Sequence, residues 1–142
     1  MSDRMGTFTG VAHIALVVRD MAASVDWYRR ALGFRPVGEV MPGPAGVGHP
    51  RQLMRHADSA LVLAVHEPLR RSGDMFDPSR TGLDHISLTV RDRAALDRWT
   101  RHLDALGVPR SPVRDTGYAW FVSVTDPDGI AWELWAAAPG AG

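Results

Sequence analysis

The sequence predicts an α+β fold made of two copies of one strand-helix-strand-strand-strand unit. Three observations predict it: a repeated segment, an amphipathic stretch after each copy, and short strand-like runs after each stretch. Residues 13–20 and 85–92 are identical at six of eight positions, and the same offset of 72 residues pairs Trp27 with Trp99. We therefore predict a single domain over residues 1–142, with repeats over about residues 10–67 and 83–138.

Each repeat opens with a strand, over residues 11–18 and 83–90, which are rich in Val, Ile and Leu. In the second copy polar and apolar residues alternate, which is typical of a strand with one buried face. This alternation places His85, Ser87 and Thr89 on one face of the second strand. By the repeat, we expect His13 to share the face of His85.

A helix follows the first strand of each repeat. Asp20 and Asp92 stand at N-cap positions, and apolar residues then recur at helical spacing. Gly33 and Gly107 come where a left-handed residue would end the helix. Trp27 and Trp99 are then core residues that pack the helices on the sheet.

The remainder of each repeat consists of strand-like runs separated by turns and loops. Three long loops rich in Gly, Pro or charged residues are candidates for lids or subunit contacts, or are simple connections. The predicted strands cover residues 36–40, 51–56, 60–67, 119–125 and 130–137, and the long loops cover residues 41–50, 68–82 and 108–117.

The composition limits the class of protein. Sixteen Lys and Arg residues balance sixteen Asp and Glu residues, so the net charge of zero favours no nucleic-acid or membrane partner. The chain has no cysteine, which excludes disulfides, thiolate metal ligands and cysteine nucleophiles. It shows neither a signal-peptide pattern nor a run of about 20 apolar residues. We therefore expect a cytoplasmic protein.

Two histidines and one carboxylate are the candidate metal ligands. His13 and His85 occupy equivalent positions of the repeats, and Glu133 interrupts an otherwise apolar strand. A buried carboxylate is costly unless it pairs with a cation or coordinates a metal, and a salt bridge to an arginine is the alternative. The three residues predict a site for one divalent ion, Fe, Mn, Ni, Co or Zn, with coordination positions left for substrate.

The repeat also indicates where a fourth ligand would stand. Aligning the turn at residues 58–59 on that at residues 128–129 places Leu63 over Glu133. Leu63 cannot bind a metal, so it becomes a candidate pocket residue. By the same count His66 lies on the opposite face from Leu63, and it would reach the site only through a bulge.

Three segments of the chain resemble vicinal-oxygen-chelate proteins, the superfamily of glyoxalases, bleomycin resistance proteins and extradiol dioxygenases. They are residues 13–34, residues 82–90 and residues 126–134, which includes the sequence Asp126-Pro-Asp-Gly-Ile-Ala-Trp-Glu-Leu. The resemblance covers nearly the whole chain. It implies that the two repeats form an eight-stranded cup with a metal inside, and that the four ligand positions fall on His13, Leu63, His85 and Glu133.

The resemblance implies two rival functions. The first is a metal-dependent lyase, dioxygenase or transferase acting on a small oxygen-rich substrate, aromatic or not, that is chelated to the metal. The second is metal-independent sequestration of a small molecule or antibiotic, similar to bleomycin resistance proteins. Leu63 at a ligand position argues against glyoxalase I and methylmalonyl-CoA epimerase activity. The resemblance also implies a homodimer, with the site either within one chain or shared between two.

The pocket walls follow from strand alternation around the ligands. Residues two positions apart share a face, so Trp135 accompanies Glu133, and Phe121 and Ser123 face the cup from the neighbouring strand. Trp135 either stacks on an aromatic substrate or closes one end of the core. The predicted pocket residues are Leu63, Phe121, Ser123 and Trp135.

Overall fold

The computed structural model describes residues 6–43 and 49–140, and in it the order strand, helix, strand, strand, strand occurs twice. The predicted α+β class with two repeated units is thereby confirmed. The elements are β1 (Ile14–Val17), α1 (Met21–Leu32), β2 (Phe34–Met41), β3 (Arg51–His56), β4 (Val62–His66), β5 (His85–Thr89), α2 (Arg93–Ala105), β6 (Arg114–Asp115), β7 (Ala119–Thr125) and β8 (Ala131–Ala137).

The strands form two four-stranded sheets with the same internal order. The first sheet runs β1-β4-β3-β2 and the second runs β5-β8-β7-β6. In each sheet the first strand of the unit pairs in parallel with the last, and the other pairs are antiparallel. The duplication found in the sequence therefore extends to strand order and direction.

Strand boundaries were predicted well where the pattern was strong and poorly where it was short. Strands β3 and β7 have the bounds that the sequence predicted, whereas β2 is longer. The segment 108–117, predicted as a loop, contains the two-residue strand β6, which pairs with Phe121 and Trp120 of β7. Two residues are too few to show periodicity, so β6 is defined by its pairing rather than by its own sequence. Residues 44–48 of the predicted loop 41–50 lie outside the described residues.

The helix ends are set by the residues that the sequence indicated. The carboxylates of Asp20 and Asp92 accept hydrogen bonds from first-turn amides at 3.0 and 2.7 Å. Gly33 and Gly107 have φ values of 76° and 67°, in the left-handed region that ends a helix. Neither helix in the described chain has the length and apolarity that crossing a bilayer requires.

The core lies on the helix-covered side of both sheets and joins the two units. Trp132 of β8 packs against Tyr28 of α1 and Phe34 of β2, with ring centroids 5.6 and 6.5 Å apart. All three side chains are fully buried. Trp27 and Trp99 pack against this core while remaining partly exposed. Because the units meet through this side, the opposite face of each sheet is left open.

A buried polar network crosses the same boundary. The Tyr28 hydroxyl donates to Asp126 Oδ2 at 2.5 Å and accepts from Trp132 Nε1 at 3.0 Å. Asp126 Oδ1 accepts from two backbone amides of its own turn. Nearby, Arg19 Nε pairs with Asp128 Oδ1 at 2.8 Å. The turn before β8 is thus fixed to the first unit by directed bonds as well as by packing.

Candidate functional site

The open face of the second sheet carries most of the predicted site residues. Along β8, Trp132, Leu134 and Ala136 are buried against the helix side, and the intervening residues are half-buried. Directly paired residues lie on the same face of a sheet. The open face of the second sheet therefore consists of Arg114, Ala119, Phe121, Ser123, Thr125, His85, Ser87, Thr89, Ala131, Glu133, Trp135 and Ala137.

His85 and Glu133 approach each other on this face. His85 Nε2 lies 3.4 Å from Glu133 Oε2. On the other side of the ring, His85 Nδ1 is 2.6 Å from Asp84 Oδ1. The hydrogen bond to Asp84 raises the pKa of His85, and the charge of Glu133 adds to the effect although partial burial opposes it. With its Nδ1–H donated to Asp84, the ring directs Nε2 toward Glu133.

This arrangement suits a metal ligand. Histidines that bind metals usually donate their second ring N–H to a carboxylate, which fixes the ring and makes the free nitrogen a better donor. Asp84 stands in that position, although its importance was not predicted from the sequence. Its place directly before His85 was the only available signal.

His13 lies directly before the first strand of the other sheet and is exposed. Alternate residues of a strand share a face, so His13 continues the row of Ala15 and Val17, which lie on the open face of the first sheet. Residues 6–43 and 49–140 of one chain contain no group of three or more His, Asp or Glu residues placed to hold a metal ion. One chain thus brings together His85 and Glu133, but not His13, because its two sheets meet through their helix-covered sides.

Leu63 does not line the site, which corrects the prediction made from the turns. It is fully buried and belongs to the core on the helix side. Ser87 pairs with Glu133, and the corresponding residue Ala15 pairs with Ala64. The counterpart of Glu133 is therefore Ala64. A shift of one residue moves a side chain to the other face of a strand, and the turns of the two repeats were aligned one residue out of register.

Phe121, Ser123 and Trp135 lie on the open face that carries Glu133. Phe121 is the direct partner of Trp135, and Ser123 is the direct partner of Glu133. All three are half-buried. A pair of aromatic rings therefore lies beside the carboxylate, with hydroxyl groups of Ser87 and Ser123 on either side of it.

His66 lies on the open face of the first sheet without any bulge, contrary to the prediction. It pairs with Val17 and Arg51, and it is two residues from Ala64, so the two side chains share a face of β4. Its ring centroid is 4.6 Å from that of His49. Burial lowers the pKa of His66, and the neighbouring His49 and Arg51 lower it further. The correct register would have identified His66 from the sequence.

Comparison with known proteins identifies a family. Residues 10–134 match the protein-family model described as the Glyoxalase/Bleomycin resistance protein/Dioxygenase superfamily. No curated protein matches the chain.

Solved structures share the fold. A glyoxylase/bleomycin resistance protein/dioxygenase domain from Frankia sp. EAN1pec is 26% identical, with a TM-score of 0.82 over 93% of this chain and 100% of that one. The fosfomycin resistance protein FosX from Listeria monocytogenes, complexed with Mn(II) and sulfate ion, is 18% identical, with a TM-score of 0.66 over 94% and 96%. TnmS3, an antibiotic binding protein from Streptomyces sp. CB03234, is 18% identical, with a TM-score of 0.69 over 94% and 100%.

Proposed function

The chain belongs to the Glyoxalase/Bleomycin resistance protein/Dioxygenase superfamily, and we propose that it is a metal-dependent enzyme acting on a small, oxygen-rich substrate. The observation that carries the proposal is the contact between His85 Nε2 and Glu133 Oε2, with Asp84 holding the far side of the imidazole. The Mn(II) complex of FosX is an example of a structurally similar protein with a divalent ion.

The donor set fits a divalent transition metal. Imidazole nitrogen and carboxylate oxygen suit Fe, Mn, Co, Ni and Zn, and His85 and Glu133 supply one of each, with His13 as the third donor. An ion bound there would polarise substrate oxygens and stabilise negative charge that develops on them. Asp84 keeps the His85 ring oriented, and the hydroxyls of Ser87 and Ser123 are placed to hydrogen-bond substrate oxygens.

We propose that His13 comes from a second copy of the chain. The two sheets of one chain have their open faces uncovered, and these faces carry apolar side chains such as Val17, which is 57% exposed. Uncovered apolar residues on a sheet face favour burial against a partner. In the homodimer the open face of the first sheet of one copy lies against that of the second sheet of the other. Each site then combines His13 of one copy with His85 and Glu133 of its partner.

Metal analysis of purified variants tests the site. We expect His13→Ala, His85→Ala and Glu133→Ala each to weaken metal binding by about 10- to 100-fold or more, since each removes a donor. The matched control is His102→Ala, because His102 is an exposed histidine on α2, away from both open faces. Unchanged metal content in the three ligand variants would disprove the assignment.

Mixing two defective variants tests the shared arrangement. His13→Ala and Glu133→Ala homodimers have no complete site. After subunit exchange, each mixed dimer has one complete site and one site that lacks both residues, so about a quarter of all sites are restored in an equal mixture. No recovery of metal binding after verified exchange would show that His13 is not contributed by the partner.

One observation favours a second candidate function, the sequestration of an aromatic small molecule. Phe121 and Trp135 are direct cross-strand partners on the open face, and such a pair provides a surface for planar rings. The chain is also similar in fold to the antibiotic binding protein TnmS3. Tight binding of planar antibiotics that is insensitive to chelators, and unaffected by Glu133→Ala, would support this function over the enzyme.

A further inference from the structure

The open face of the first sheet is strongly basic. Pairing across β1, β4, β3 and β2 defines three rows of residues on this face. One outer row contains His66 and Arg51, and the other contains His13, Arg55 and Arg35. The paired positions on this face include no Asp or Glu; Glu39 falls in the irregular part of β2, between the paired residues Val37 and Met41. The face consists of His13, Ala15, Val17, Val62, Ala64, His66, Arg51, Leu53, Arg55, Arg35, Val37 and Met41.

The arginines of this face have no carboxylate partners. Within residues 6–43 and 49–140, no salt bridge involves Arg35, Arg51 or Arg55. Six arginines elsewhere in the described chain do form salt bridges. Three unpaired cations on one side of a sheet repel one another unless an anion lies between them.

His66 and Arg51 are direct neighbours at one end of this face. They are cross-strand partners, and both are half-buried. His66 Nδ1 is buried without a hydrogen-bond partner among the described residues. A buried polar atom without a partner lowers the stability of the fold, and a bound ligand or water often supplies the missing hydrogen bond.

Two small residues, the exposed Ala15 and the buried Ala64, lie between this pair and His13. Ala15 and Ala64 are partners in the row between His66 and His13. The rows of His66 and His13 are four residues, or about 13 Å, apart along the strands, a gap that the two side chains shorten. A small molecule that spans this distance would contact His13 at one end and His66 and Arg51 at the other.

We propose that His66 and Arg51 bind an anionic oxyacid group, a carboxylate or phosphonate, of the substrate. The inference rests on the proposed function, since His13 is assigned there as a metal ligand at the other end of the face. Arg51 supplies the positive charge and paired N–H donors, which suit planar or tetrahedral oxyanions. His66 supplies an additional N–H donor. The substrate is thus an organic acid whose remaining oxygens lie toward the metal ligands.

Titration of metal-free protein with small probes tests the proposal independently of metal chemistry. The probes are methylphosphonate, acetate and neutral acetamide, followed by NMR signals of the His66 ring and the Arg51 guanidinium. We expect both anions to shift these signals saturably and acetamide to leave them unchanged. The tighter of the two anions identifies the oxyacid group, and saturable binding of acetamide at the same place would overturn the role of charge.

Variants separate charge from packing. We expect Arg51→Gln and His66→Gln to weaken anion binding by about tenfold, because each removes a charged or directed hydrogen bond. Arg51→Lys should recover part of the loss, and Arg101→Gln, an exposed arginine on α2, is the matched control. Anion affinity that stays within about twofold of wild type in both Gln variants would overturn the proposal.

Metal binding measured on the same proteins distinguishes the two hypotheses. Arg51→Gln retains His13, His85 and Glu133, so we expect it to bind metal as wild type does while losing the anion. His85→Ala should show the reverse. Intact anion binding with no metal site at His85 would refute the proposed function alone, whereas intact metal binding with no anion response would refute only this inference.

Discussion

The Tyr28 hydroxyl is the centre of the contact between the two units, and its removal is the clearest test of how they are joined. Tyr28 is fully buried. Its hydroxyl donates to Asp126 Oδ2 at 2.5 Å and accepts from Trp132 Nε1 at 3.0 Å. Tyr28→Phe keeps the ring in the core and removes only these two bonds. Asp126 Oδ2 and the buried indole N–H would then both lack their partner.

The cost follows from the two lost bonds. A hydrogen bond to a charged group contributes about 1.5–3 kcal/mol and a neutral one about 1 kcal/mol. The sum predicts that Tyr28→Phe lowers the free energy of unfolding by about 3 kcal/mol near pH 7. Tyr118→Phe is the matched control, because Tyr118 is the only other tyrosine and is 60% exposed. Its loss should change stability by less than about 0.5 kcal/mol.

The stability contributed by Tyr28 should also depend on pH in the alkaline range. Burial raises the pKa of Tyr28 far above its ordinary value, and the Asp126 charge raises it further. The unfolded chain ionises its tyrosines near pH 10, so the stability contributed by neutral Tyr28 is complete below about pH 10 and falls above it by up to 1.4 kcal/mol per pH unit. Tyr28→Phe lacks this loss, so the difference from wild type should shrink as pH rises from 9 to 11.

Urea unfolding followed by far-UV circular dichroism measures these effects at one protein concentration, at pH 7 and at steps between pH 9 and 11. A destabilisation below about 1 kcal/mol at pH 7 would show that the network contributes little to joining the units. A difference between the two proteins that stays constant from pH 9 to 11 would show that Tyr28 ionises as freely in the folded protein as in the unfolded chain.

Two further predictions concern the open face of the first sheet. Ala64→Glu should tighten metal binding because it adds an oxygen donor at the counterpart of Glu133, on the face away from the core. Leu63→Glu should destabilise the fold by several kcal/mol because it places a charge within the core. Stronger metal binding by Leu63→Glu would refute the register. Since burial and the nearby His49 and Arg51 lower the pKa of His66, its contribution to stability is complete above about pH 6.5 and falls as pH drops through the lower folded value. His66→Gln should therefore reduce the acid destabilisation of metal-free protein, measured by urea unfolding at pH 7.5 and 5, and an unchanged acid response would contradict this.

Local patterns made most of the fold predictable. Capping residues, apolar spacing and the repeat identified both helices, with Asp20 and Asp92 as N-caps and Gly33 at a helix end. These features act within a few residues, so a single sequence contains them. The short strand β6 was missed because it exists only through pairing with β7.

Register was the main obstacle at the site. His85 and Glu133 were predicted to meet, and their side chains do lie 3.4 Å apart. The choice between Leu63 and Ala64 depended on one residue in a turn, and only strand pairing decided it. The same error assigned His66 to the wrong face. Alternation specifies two faces but does not say which of them a helix covers.

By itself, the sequence determined the repeated unit, the elements within it and the residue types able to bind a metal, because these depend on local spacing and chemistry. Tertiary structure decided which faces are buried and which residues meet. Packing through the side of Tyr28 and Trp132 covers one face of each sheet and leaves His13 on an open face away from Glu133. That separation arises from contacts between residues more than 100 positions apart in sequence, such as Tyr28 and Trp132, which no local pattern encodes.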